Sequence, residues 1–180
     1  DTAFSYAYSA PQDTDVVALL DDFLSGDREA IPLFGEDANV DTSAVAPLIE
    51  QLKGKRIGRI GDHPQGFTTC RYNSKTIEKL TGVTVDEIAL DDLFETARDI
   101  PAQSIAASRN KVADLRGLGE LDQPQLERSL ALHGALQSLQ QGKDYSAFAI
   151  RCWPETFTEY GAAVCGPVGM MGEARIPCAC

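Results

Sequence analysis

Two short polar segments contain the side chains that could recognise a small ligand. They are Asp62-His63-Pro64-Gln65-Gly66-Phe67 and Arg151-Cys152-Trp153-Pro154-Glu155. Each follows a predicted strand, and open parallel sheets bind ligands beyond the carboxyl ends of their strands. Arg151 and Glu155 could bind hydroxyl groups such as those of a sugar, and Trp153 could form an apolar wall. The candidate binding residues are therefore Arg151, Trp153, Glu155, His63 and Gln65.

Residue type alone leaves other roles open for these side chains. Trp153 could belong to the core, Glu155 could be a first-turn carboxylate that the helix dipole favours, and Arg151 could be its ion-pair partner. His63 fits a loop hydrogen bond better than a metal ligand. A nucleotide site is disfavoured because the chain has no G-x-G-x-x-G or Walker motif and Pro64 interrupts the loop.

The cysteines do not form the pattern of a disulfide framework. Their number is odd, and four of the five lie in the last 29 residues: Cys70, Cys152, Cys165, Cys178 and Cys180. We expect reduced, partly buried thiols in a cytoplasmic protein. A cysteine nucleophile is conceivable, but none lies near a histidine in the sequence.

Strand and helix patterns alternate along most of the chain, which predicts an α/β architecture with a parallel sheet. The third strand is apolar throughout, as in a strand that is buried on both faces. Helices are expected from Asn73 or Ser74 to Gly82, from residue 91, over most of 102–142 and from Pro154. Residues 3–9 and 13–25 predict an earlier strand and helix. The main strands are predicted at 57–60, 83–88, 148–150 and 176–179.

Composition excludes several classes of partner. The chain has 180 residues with 27 acidic and 16 basic side chains, a net charge of -11. A polyanion would be repelled at long range, so we expect neither nucleic acid nor an anionic membrane surface as a partner. The longest apolar runs have only a few residues, far short of the roughly 20 needed to span a bilayer.

Two blocks of the chain resemble the L-fucose isomerase-like proteins. The first is Arg56-Ile57-Gly58-Arg59-Ile60-Gly61 with the Asp62–Phe67 segment and Val83 to Phe94 behind it. The second runs from Ala149 to Glu155 and continues through Tyr160-Gly161, Cys165-Gly166-Pro167 and Ile176-Pro177-Cys178-Ala179-Cys180. The resemblance implies a Rossmann-like or flavodoxin-like three-layer domain at residues 55–180. Residues 1–54 would be the tail of a preceding α/β domain and its linker.

The resemblance also implies an activity. Family members are aldose–ketose isomerases that act on a monosaccharide through an enediol, with manganese or another divalent metal, and they are homo-oligomers. The Glu, Asp and His that bind the metal are expected beyond Cys180, so we expect no metal site in this chain and no activity of this fragment alone. The alternative is a non-catalytic α/β sugar-binding or interaction module. Which sugar is used does not follow from the sequence.

Overall fold

A computed structural model describes residues 45–180 together with Val17, Ala18, Asp21, Ser25 and Ser43. The chain divides into two compact units, Asp1–Ala44 and Val45–Cys180, and the second unit contains the sheet and the helices that pack on it. The predicted strand at 3–9 and most of the predicted helix at 13–25 lie outside the described residues. The predicted domain boundary between residues 54 and 55 stays a prediction.

Four parallel strands form one sheet in the order β2–β1–β3–β4. Ile57 of β1 lies opposite Val85 on one side and Ala147 on the other. The strands are β1 Arg56–Ile60, β2 Thr84–Ile88, β3 Ala147–Ile150 and β4 Cys178–Ala179. The order matches the first four strands of a flavodoxin-like sheet. The predicted Rossmann-like α/β fold is therefore confirmed.

The helices begin and end largely where the sequence signals place them. They are α1 Val45–Leu52, α2 Ser74–Thr81, α3 Leu90–Arg98, α4 Ala102–Lys111, α5 Gln123–Lys143 and α6 Cys165–Glu173. The Thr76 amide donates to Asn73 Oδ1 at 2.9 Å, which caps α2. Gly82 ends α2 in the left-handed conformation, with φ of 72°. No helix in the described part of the chain is long and apolar enough to cross a bilayer.

The core lies on one face of the sheet, where α3, α5 and α6 pack. Ile60 and Phe148 project from the sheet into a cluster with Leu93, Leu132 and Met171. Alternation along the strands sends Ile57, Val85 and Ala149 to the opposite face, beside α2. That face is less covered, since Ala147 and Ala149 are only half-buried. The third strand is therefore not equally buried on both faces.

Three local features differ from the sequence expectation. The fourth strand is limited to Cys178–Ala179, shorter than the predicted 176–179. The segment after Pro154 forms a π-helical turn, Thr156–Tyr160, and the Trp153–Pro154 bond is cis. Residues Cys165–Glu173 form a regular helix although Gly166, Gly169 and Gly172 lie within it. The buried side chains of Pro167 and Met171 explain this, because burial offsets the low helix propensity of glycine.

Candidate functional site

Two cavities open at the carboxyl edge of the sheet, with volumes of about 420 and 390 Å³. Both are lined by Arg59, Gly61, Asp62 and Arg151. These residues meet because β1 and β3 are neighbours whose carboxyl ends lie side by side, with Ile60 opposite Ile150. Parallel sheets of this kind bind ligands at this edge. We call the two cavities together the crevice.

The larger cavity is lined mainly by charged side chains. Two guanidinium groups, Arg59 and Arg151, face five carboxylates: Asp62, Glu87, Asp91, Glu155 and Glu159. Such a lining offers many hydrogen-bond acceptors and two strong donors. It suits a ligand with several hydroxyl groups, each of which can donate to a carboxylate.

Arg151 and Glu155 form a bidentate ion pair in the wall of the larger cavity. Arg151 Nε donates to Glu155 Oε2 at 2.8 Å, and a second bond joins the terminal nitrogen to Oε1. The Arg151 amide donates to the carbonyl of Ile60 at 2.8 Å, which fixes where the chain leaves β3. A Cβ at Gly61 would lie 2.8 Å from Cβ of Arg151, so only glycine allows this approach. The two hydrogen bonds between Arg151 and Glu155 hold both side chains in one relative orientation.

A second polar chain begins at Arg59, the last residue but one of β1. Its guanidinium donates to the carbonyl of Gly61 at 2.9 Å and to Asp62 at 2.8 Å, and it lies 3.1 Å from Glu87. Asp62 Oδ1 also lies 2.8 Å from His63 Nδ1 and accepts from the His63 amide. These bonds from His63 lower the pKa of Asp62. The Asp62 carboxylate thereby orients the His63 ring through Nδ1 and leaves Nε2 available to a ligand.

The smaller cavity has an apolar wall and a polar rim. Ile57, Val85 and Ala149 on the open face of the sheet form the wall together with Ile77 of α2. The rim includes His63, Arg59, Tyr72 and Cys180, and Arg59 lies 5.8 Å from the centre of the Tyr72 ring. An apolar pocket with a few convergent polar groups is the usual form of a small-molecule site.

The structure brings three of the five predicted binding residues to the crevice. Arg151, Glu155 and His63 line it, whereas Gln65 is exposed on the loop outside both cavities. Trp153 is 62% exposed, so its alternative role as a core residue is wrong. The proposed ion pair between Arg151 and Glu155 is confirmed. Whether these five residues bind substrate stays a prediction.

Sequence reasoning missed four charged residues of the crevice, Arg59, Glu87, Asp91 and Glu159. A signal for Arg59 was present, because its position near the end of a predicted strand places it close to the carboxyl edge. The same argument applies to Glu87, which lies near the end of β2. Glu159 carried no such signal, since it reaches the crevice from the π-helical turn.

A divalent metal does not fit the donor set of this region. Among residues 45–180 no three His, Cys, Asp or Glu side chains converge in a way that could hold an ion. Three carboxylates of the crevice, Asp62, Glu87 and Glu155, are instead paired with Arg59 or Arg151. A divalent metal would therefore be held by residues other than these.

Comparison with known proteins identifies the relatives of the chain, although no family model matches it. It is 29% identical over 140 residues to a sulfoquinovose isomerase of Alkalicoccus urumqiensis, covering 76% of this chain and 31% of the relative. A sulfoquinovose isomerase of Clostridium sp. (strain MSTE9) is 26% identical over 182 residues, 100% of this chain and 36% of the relative. One of Priestia aryabhattai is 26% identical over 137 residues, covering 76% and 30%.

The relatives of this chain are sugar isomerases. That supports the sugar-isomerase part of the expectation, while membership of the L-fucose isomerase-like family stays a prediction. The chain spans about a third of the length of these curated relatives. The match to the Clostridium relative includes the whole chain, so the crevice and both polar segments fall inside the region of similarity.

Proposed function

We propose that this chain is part of an aldose–ketose isomerase, and that its crevice forms one wall of the sugar-binding site. The observation that carries the proposal is the coincidence of two findings. The chain is similar to one sulfoquinovose isomerase along its whole length, and its polar residues converge on a crevice at the edge where α/β sheets bind ligands. We place the whole enzyme in the L-fucose isomerase-like family, as a cytoplasmic homo-oligomer.

In this proposal the residues of the crevice bind and orient the sugar. Carboxylates of Glu155 and Glu159 accept hydrogen bonds from its hydroxyl groups, and Arg151 holds Glu155 in a fixed direction. His63, oriented by Asp62, exchanges a proton with a sugar hydroxyl at its remaining nitrogen. Exposed Trp153 offers its ring to the apolar face of the sugar, and Gln65 reaches it from the loop. The manganese that supports the enediol chemistry would be held by residues outside 45–180.

The charge of the crevice bears on the substrate. Sulfoquinovose is a hexose that carries a sulfonate, and five carboxylates around two arginines repel an anion. We therefore propose that a sulfonated sugar places its neutral hydroxyl groups against Glu155 and Glu159. Arg59 is the better of the two arginines for a sulfonate, because its partners Asp62 and Glu87 are exposed and can move away. Arg151 is held by a more buried partner.

The proposal is tested with the full-length enzyme and sulfoquinovose as substrate. Isomerisation is followed by NMR, together with incorporation of solvent deuterium at C2, which reports an enediol. Glu155→Gln should lower kcat at least about tenfold, equivalent to about 1.4 kcal/mol, because it removes the charge near the sugar without changing volume. Glu127→Gln, in the exposed pair with Arg109 outside the crevice, is the matched control and should change kcat less than threefold.

Two results would contradict the proposal. Wild-type turnover in the Glu155→Gln variant would show that Glu155 acts only as the ion-pair partner of Arg151. Tight binding of sulfoquinovose by the full-length protein with no ketose formed, with manganese present, would favour the alternative of a non-catalytic sugar-binding module.

A further inference from the structure

The imidazole of His63 has one nitrogen engaged and the other open to a ligand. Asp62 Oδ1 lies 2.8 Å from Nδ1 and also accepts from the His63 amide at 2.8 Å, so one oxygen fixes both the ring and the backbone. Pro64 restricts this backbone further, because a residue before proline favours extended conformations. Nε2 has no hydrogen-bond partner among the residues that the structure describes.

The network around Asp62 decides which nitrogen of His63 carries the proton. Arg59 donates to Asp62 Oδ1 at 2.8 Å and to the carbonyl of Gly61 at 2.9 Å. Hydrogen bonds from His63 and the charge of Arg59 lower the pKa of Asp62, so this group is a carboxylate, which only accepts hydrogen bonds. The neutral imidazole therefore has its proton on Nδ1 and an electron pair on Nε2.

His63 lies where a small ligand can reach it. Its side chain is 27% exposed and lines the smaller cavity, whose volume of about 390 Å³ is in the range of small-molecule pockets. Ile57 and Val85 contribute to the apolar wall of this cavity, and Arg59 lies on its rim. The cavity thus offers one ligand both a base and a permanently charged hydrogen-bond donor.

We propose that His63 opens the ring of a cyclic aldose bound in the smaller cavity, and that the enzyme thereby interconverts the two anomers of its sugar. This step rests on the proposed function, which supplies the class of substrate. Aldohexoses exist in water mainly as cyclic hemiacetals, whereas an enediol forms only from the open-chain aldehyde. Ring opening must therefore come before isomerisation, and it needs a group that moves a proton from the anomeric hydroxyl to the ring oxygen.

The step moves one proton and breaks one bond. Nε2 of His63 takes the proton of the anomeric hydroxyl, and a carbonyl forms as the bond between the anomeric carbon and the ring oxygen breaks. The electron pair of that bond goes to the ring oxygen, which accepts a hydrogen bond from the Arg59 guanidinium. The same proton then passes from His63 to the ring oxygen, because both oxygens start on one carbon, within reach of one imidazole. Closure on the other face of the carbonyl gives the second anomer.

The test uses the full-length enzyme with sulfoquinovose as the probe. Saturation transfer between the anomeric protons of the two anomers in proton NMR measures their exchange, and ketose formation is followed in the same sample. We expect the wild-type enzyme to raise the exchange rate at least about tenfold above the rate in buffer. Both rates are recorded separately, so anomer exchange and isomerisation can fail independently.

Variants separate the catalytic residue His63 from the positioning residue Asp62. His63→Gln should lower the enzyme's contribution to exchange about a hundredfold, and imidazole added to the His63→Ala variant should restore part of it. Asp62→Asn should lower kcat for exchange about tenfold with KM nearly unchanged, because the ring is present but no longer held in one tautomer. Asp114→Asn, an exposed carboxylate outside both cavities, is the matched control and should keep the wild-type rate.

Circular dichroism checks the fold of each variant, and Asp62→Asn keeps the inference testable if a His63 variant does not fold. Exchange that depends on His63, with no ketose formed, would support the ring-opening step and contradict the isomerase assignment. Isomerisation without accelerated exchange would overturn the ring-opening step and leave the proposed function standing. Wild-type exchange in the variants of both residues would also overturn it, because another group would then move the proton.

Discussion

The two ends of β1 carry the same kinds of side chain in different settings. At the amino edge of the sheet Arg56 pairs with Asp86, which also accepts the Tyr145 hydroxyl at 2.9 Å. At the carboxyl edge Arg59 pairs with Glu87 of the same neighbouring strand. Asp86 has a side chain 26% exposed, but that of Glu87 is 65% exposed. The carboxylate of the first arrangement is the more enclosed, and the second arrangement opens on a crevice.

The pKa values follow this difference. Burial by itself would raise the pKa of Asp86, but the hydrogen bonds from Arg56 and Tyr145 together lower it. Burial and, to a smaller extent, the hydrogen bond that Tyr145 donates to Asp86 raise the pKa of Tyr145. The amino edge therefore keeps one ionisation state and stabilises the fold. The arginine and carboxylates of the carboxyl edge remain able to exchange partners with a ligand.

The largest expected effect on stability comes from a group at neither edge of the sheet. His133 of α5 is fully buried, with Nδ1 2.7 Å from the hydroxyl of Ser108 in α4 and no partner at Nε2. Burial lowers its pKa to about 4, and Lys111 contributes. As pH falls from about 6.5 to 4 the unfolded chain takes up a proton that the folded chain does not. The free energy of unfolding should fall by about 3 kcal/mol across this window.

Urea unfolding at a series of pH values measures this dependence. His133→Gln should flatten the curve between pH 6.5 and 4, whatever its effect on the stability at pH 7. Retention of the full slope in this variant would show that the core histidine is not the group that titrates.

The next prediction compares the two edges directly. Asp86→Ala leaves the Arg56 guanidinium and the Tyr145 hydroxyl without their acceptor, which should lower the free energy of unfolding by about 1–3 kcal/mol. Glu87→Ala, one residue away on β2, removes an exposed carboxylate and leaves Arg59 bonded to Asp62, so it should change the free energy of unfolding by less than about 0.5 kcal/mol. Denaturant titrations of both variants at pH 7 decide this. Equal losses would mean that the two edges do not differ as described.

The smallest expected effect concerns Trp153 at the carboxyl edge. Because the side chain is mostly exposed, Trp153→Ala should change the free energy of unfolding by less than about 1 kcal/mol. In the full-length enzyme the same change should raise KM for the sugar if the ring packs against it. A large drop in Tm would instead show that Trp153 supports the fold.

Local sequence signals predicted the elements of this protein well. Alternating strands and helices led to the parallel sheet, and Asn73 and Gly82 marked the ends of α2. The pair Arg151 and Glu155 was also predictable, because four residues separate its members. Local signals failed after Pro154 and in α6. There the backbone geometry and the burial of Met171 outweigh the propensities of single residues.

The sequence by itself determined the order and type of the elements and the two polar segments that reach the edge of the sheet. Only the tertiary structure decided which distant side chains meet. Arg56, Asp86 and Tyr145 form one network, and Ser108 meets His133. These contacts depend on strand order and on the packing of helices against one face. Strand order and helix packing cannot be recognised from the periodicity of the sequence. They bring distant residues together in three dimensions, whereas periodicity reports only on neighbours within one helix or strand.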